Sequence, residues 1–166
     1  SREHLLSFYN FHLKQFGGRP EALRWTPQGQ LKRYRTLAEI APDLNNASIL
    51  DYGCGTGDFY RFLKRRGFNV RYTGVDINEN FIELARKKYP ECTFSVLDGP
   101  EDQVEGFFDY IVICGVFNLN VPGVDDVPAF DLRPGANVEH QRTLIQQPHR
   151  VQRAHRLATR TRTADL

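Results

Sequence analysis

The chain of 166 residues contains no methionine, even at its first position, and a single tryptophan. The missing methionine leads us to expect a processed, trimmed or fragmentary chain. Cysteine is scarce. Cys54, Cys92 and Cys114 lie far apart, are odd in number and show no CxxC spacing. That argues against a zinc site and for a reducing, cytoplasmic setting. No apolar run approaches the roughly 20 residues that span a bilayer, and Ser1-Arg2-Glu3-His4 opens no signal-peptide pattern. A net charge of +2 is too small a field to suggest nucleic acid as a partner. Residues 121–166 hold no lysine and one aromatic, Phe130, although the first 120 residues hold five lysines.

What is present is ordinary in bulk and specific in detail. With 40% apolar and 25% charged residues, the composition is that of a globular domain able to bury a core. Residues 1–46 carry helical periodicity, first through Leu5, Tyr9, His12 and Phe16. It is broken at Gly17-Gly18-Arg19-Pro20 and resumes over 28–40 through Leu31, Tyr34, Leu37 and Ile40. From residue 47 strand and helix signals alternate: strands over 47–52, 69–76, 93–97 and 107–116, helices over 58–66 and 79–89 with Asn78 as N-cap. Such repetition specifies a parallel, doubly wound, Rossmann-like α/β sheet behind N-terminal helices.

The first strand runs into Asp51-Tyr52-Gly53-Cys54-Gly55-Thr56-Gly57-Asp58. Glycines at a strand–helix turn allow positive φ and close approach of a ligand to the backbone, and the new helix amides face that ligand. The spacing departs from the dinucleotide pattern G-x-G-x-x-G, whose last position is Asp58 here. No Lys-Ser/Thr pair follows the glycines, so a Walker loop is excluded.

The turn, together with Gly74-Val75-Asp76-Ile77, the later Asp98 and Phe108-Asp109-Tyr110-Ile111, resembles the class I S-adenosylmethionine-dependent methyltransferases. Trp25, Gln30, Arg33 and Tyr34 look like the lead-in of small bacterial members. The resemblance covers about residues 25–120. It implies S-adenosylmethionine as cofactor, with its methionine part against Gly53, Cys54, Gly55 and Gly57 and its ammonium near Asp51. Asp76 would accept the ribose hydroxyls, Ile77 would face adenine, and Asp98 would accept from the adenine amine. Phe117 and Asn118, after the fourth strand, would face the methyl group and a small-molecule acceptor. No metal is implied. Blander readings stand beside these: Asp76 as a helix N-terminal acid, Cys54 as a small filler, Trp25 as packing, Arg33 as a solvated charge.

The family fold has seven strands in the order 3-2-1-4-5-7-6, and this sequence accounts for about four. We therefore read 1–46 as a helical lead-in, 47–120 as the core and 121–166 as a divergent, weakly structured tail. On that reading the fourth strand is an exposed edge, which invites self-association. Two alternatives to methyl transfer follow, a defective remnant that retains part of the cofactor site and, on the same fold, a nucleotide-dependent oxidoreductase.

Overall fold

The structure, a computed structural model, describes residues 2–41, 43–97, 104, 106–115, 142–146 and 151–153. The sheet grows outward from β1 (Ser48–Tyr52). On one side β1 pairs in parallel with β2 (Arg71–Asp76), Ile49 opposite Tyr72 and Asp51 opposite Gly74. On the other it pairs in parallel with β4 (Tyr110–Cys114), Asp51 opposite Val112. β3 (Thr93–Val96) extends the sheet beyond β2. All five residues of β4 are buried, as its unbroken apolar run requires of a strand covered on both faces.

Among the described residues four helices surround this frame: α1 (Arg2–Phe16), α2 (Pro27–Ile40), α3 (Asp58–Arg65) and α4 (Glu79–Lys88), with a short 3-10 turn, Pro20–Leu23, between the first two. Local chemistry sets their starts. Thr26 Oγ1 accepts from the Gly29 amide at 3.0 Å, with Pro27 at the first helical position. Asn78 does the same for α4, accepting from Asn80 N at 3.0 Å. The inner faces of α2, α3 and α4 meet the sheet in one core: Tyr34 and Leu37, Phe59, Phe62 and Leu63, Ile82 and Ala85 pack with Ile49, Tyr72, Phe94 and Val112. Each large side chain so buried contributes about 1.5–3 kcal/mol. The opposite face carries Leu50, Val75, Leu97, Ile111 and Ile113, with Tyr52, Val104 and Phe108 against them.

The strand order is β3-β2-β1-β4-β5-β6. β5 (Arg142–Gln146) runs parallel to β4, and β6 (Val151–Arg153) runs antiparallel to β5. This corrects the expectation that β4 is an edge, and the self-association argued from that edge loses its basis. The first five positions repeat the family order, followed by an antiparallel strand. The cause of the error is local. β5 and β6 are short and rich in polar residues (Arg142, Thr143 and Gln146; Gln152 and Arg153), so no apolar run marks them.

Candidate cofactor site

The turn after β1 is held by its backbone. Gly53, Gly55 and Gly57 have φ of +78°, +54° and +79°, a region that side chains disfavour. The amides of Gly53 and Cys54 both donate to Val75 O, at 2.8 and 3.0 Å, and Gly57 N donates to Cys54 O at 3.0 Å. The turn is thereby tied to β2. The space around it is filled: a Cβ on Gly55 would lie 3.0 Å from Leu23 Cδ1, and one on Gly57 would lie 3.0 Å from the Tyr89 ring.

Asp76, at the end of β2, binds the turn to the next helix. Its Oδ2 accepts from Gly55 N and its Oδ1 from Asn78 N, both at 2.9 Å. Burial raises its pKa, while the amides of Asn78, Gly55 and Ile77 pull it back down. Two oxygens of a carboxylate offer about four acceptor positions, so with the three amides bound about one remains for a ligand hydroxyl. Ile77 is half-buried beside it. Asp51 points to the helix-covered face and is buried at 3% exposure. Its Oδ2 accepts a hydrogen bond from the Tyr72 hydroxyl. Cys54 is buried, and burial pushes its thiol well above the usual range. Its Sγ faces Gly74, so any contact it makes with a ligand runs through its backbone.

The N-terminal segments close over these strand ends. Asn10 Oδ1 accepts from Asn78 Nδ2 at 3.0 Å and from Asn80 Nδ2 at 2.9 Å. Tyr9 stands edge-on to Phe81, and burial with the nearby Asp76 charge holds its hydroxyl well above the normal phenol range. Trp25 covers Gly115 at the end of β4, and the Arg33 guanidinium lies 5.2 Å from the centre of the Trp25 ring.

Three buried polar atoms have no hydrogen-bond partner among the described residues: Glu21 Oε2, Arg33 Nη1 and Asp58 Oδ1. Asp58 sits at the start of α3, where its Oδ2 accepts from Gln30 Nε2 at 3.3 Å and its Oδ1 lies 3.2 Å from Arg61. Asp58 Oδ1 is thus charge-paired, which leaves Glu21 Oε2 and Arg33 Nη1; unsatisfied buried polar atoms are costly, so these two, on segments bordering one turn, are a sign of a missing ligand. Carboxylates and a guanidinium together suit a zwitterion. The cofactor's amino acid end is one, and on this test the residues fit it.

The structure thus brings Asp51, Gly53, Cys54, Gly55, Gly57, Asp76 and Ile77 to one corner. Asp98, Phe117 and Asn118 lie outside the described residues. Sequence reading missed Tyr72, Leu23, Glu21 and Asn10. Tyr72 sits within a strand pattern, where a tyrosine reads as packing, and the others act only through tertiary contact. Asp109, part of the resemblance, faces away from the site: its Oδ2 accepts from Ser48 N at 2.7 Å, joining the starts of β1 and β4. Among the described residues no cluster of three or more His, Cys, Asp or Glu would hold a metal, and no helix is long and apolar enough to cross a membrane.

Residues 49–131 match the family described as Methyltransferase domain. The chain belongs to the methyltransferase-domain family. It is a class I S-adenosylmethionine-dependent methyltransferase by descent, and the nucleotide-dependent oxidoreductase reading is set aside. Among curated relatives, an N-demethylindolmycin N-methyltransferase of Streptomyces griseus is 34% identical over 51% of this chain and 35% of its own length. A demethylmenaquinone methyltransferase of Thermotoga maritima is 33% identical over 39% of this chain and 28% of its own. A ribosomal protein L11 methyltransferase of Burkholderia mallei is 30% identical over 63% of this chain and 34% of its own. The chain spans about a third of the length of these curated relatives. The solved structure of YjhP from E. coli shares the fold, with a TM-score of 0.52 at 19% identity over 83% of this chain and 54% of that one.

Proposed function

We propose that this methyltransferase chain binds S-adenosylmethionine across the ends of β1 and β2 and transfers its methyl group to a small-molecule acceptor. The observation that carries the reading is the glycine turn clamped by Asp76, bordered by Glu21 and Arg33 atoms that are buried without a hydrogen-bond partner among the described residues. On this reading Asp76 accepts from the ribose diol, Ile77 faces adenine, and Asp98 accepts from the adenine amine. Arg33 takes the methionine carboxylate, while Glu21 and Asp51 face its ammonium. Residues 47–120 form the cofactor core, and 1–46 cover it. When bound, the cofactor supplies an electrophilic methyl on a sulfonium, and the protein supplies alignment and exclusion of water. Phe117 and Asn118 would wall the pocket and orient the acceptor.

A small acceptor is supported by the relatives named for demethylindolmycin and demethylmenaquinone. The relative named for ribosomal protein L11 marks the competing choice. A cytoplasmic setting is part of the reading, supported by cysteines that remain thiols. Calorimetric titration with S-adenosylhomocysteine tests the core of it. Binding is expected, weakened at least about tenfold by Asp76→Ala. Arg33→Gln is expected to weaken S-adenosylhomocysteine but not 5′-methylthioadenosine, which lacks the amino acid end. No binding by the unaltered chain would defeat the reading. Methyl transfer from labelled cofactor to a metabolite panel, against a ribosomal protein fraction, then decides the acceptor class.

A further inference from the structure

We propose that Tyr72 is a positioning residue of the cofactor site, whose hydroxyl fixes the buried Asp51 carboxylate for the cofactor's ammonium and thereby ties cofactor affinity to pH near neutrality. The inference rests on the functional reading above.

Register places the pair. Tyr72 lies opposite Ile49 and Gly74 opposite Asp51, so all four share one face of the sheet. Gly74 has no side chain to stand between Tyr72 and the acid. A Cβ there would come within 2.8 Å of Cys54 Sγ and of the Phe94 ring. Tyr72, 4% exposed, leans across this gap to Asp51, 3% exposed. Its bond occupies Oδ2.

Among the described residues no cation acts directly on Asp51; Arg33 of α2 bears on Cys114 instead. Facing the acid are Tyr72 and Asp76 from β2, Tyr34 from α2, Cys54 from the turn and Cys114 from β4. Burial raises the pKa of each of these phenols and thiols, so they stay neutral. The charge that does act on it, Asp76, has the same sign. A carboxylate buried without a counter-charge favours its protonated form. Burial, aided by Asp76 and opposed by the Tyr72 bond, pushes Asp51 up to about 7. An incoming ammonium is the missing counter-charge, and it binds the ionised acid.

The test is calorimetry with S-adenosylhomocysteine and with 5′-methylthioadenosine from about pH 6 to about pH 8.5. For the unaltered chain, S-adenosylhomocysteine affinity is expected to rise about tenfold across that range, while methylthioadenosine affinity stays flat. Tyr72→Phe removes a bond that favours the ionised acid, so the midpoint moves to higher pH and affinity near pH 7 falls about three- to tenfold. Asp51→Asn keeps an acceptor for Tyr72 and cannot ionise; it is expected to bind weakly with no pH dependence, and it serves if Tyr72→Phe does not fold. Isotope-edited NMR titration of Asp51 in the ligand-free protein gives a second readout. A flat profile in a chain that binds, the same slope for both ligands, or an unmoved midpoint in Tyr72→Phe overturns the inference and leaves the cofactor reading standing. Absence of all binding overturns both.

Discussion

Gly74 shows how much one missing Cβ organises. Cys54, Phe94 and the bond between Tyr72 and Asp51 all use the room above it. Overpacking of a filled core costs about 1–3 kcal/mol. Gly74→Ala is therefore expected to lower the melting temperature by several degrees, since each kcal/mol is worth about 2–4 °C at this size. It should also weaken S-adenosylhomocysteine, because Asp51 loses its support. An unchanged melting curve would show that the space is more yielding than the contacts indicate. At this scale the sequence marked the turn well. Asp51, the three glycines and Asp76 announce themselves by type and spacing. Tyr72 does not, because its role depends on which residue lies opposite on the neighbouring strand. Arg33 was read as a solvated charge among other possibilities; the structure sets it on Trp25 with one nitrogen buried.

Elements were legible where local chemistry ends them. The start of α4 follows from Asn78 and its end from Pro90, and the break at Gly17-Gly18 became the approach to the 3-10 turn. Asn78 is 1% exposed and works twice, capping α4 through Asn80 N and donating to Asn10 of α1. Loss of a cap costs about 1 kcal/mol. Asn78→Ala is expected to lower the melting temperature by a few degrees and to speed amide exchange in both α1 and the first turn of α4. Faster exchange confined to α4 would mean that α1 is held by other contacts, such as Tyr9 against Phe81. α1 has no buried residue, so its seat depends on such contacts rather than on a core face.

The whole molecule is a sheet whose apolar centre needs neighbours on both sides. β4 is entirely buried and pairs with β1 and β5. Removing residues 121–166 would strip β5 and β6 and bare the backbone of β4, a ready template for pairing. The chain cut after residue 120 is expected to associate or precipitate where the full chain stays dispersed, as read by size-exclusion chromatography with light scattering. A monomeric truncated chain would show that β4 tolerates its open edge.

The sequence by itself determined the order of strands and helices over 47–115, the glycine turn and the acids at the ends of the first two strands. These are dictated by short-range rules: periodicity, capping, and the backbone freedom of glycine. Tertiary structure alone decided that β4 is internal and that Tyr72 holds Asp51. It also placed Leu23, Trp25 and Asn10 over the strand ends and left Glu21 and Arg33 with buried atoms that find no hydrogen-bond partner among the described residues. Those facts depend on which residues meet across strands and helices far apart in the chain, and no local pattern encodes a meeting. The glycine turn that marks the family is thus written in the sequence, while the charge balance around Asp51 exists only once β2, β4 and α2 have closed on it.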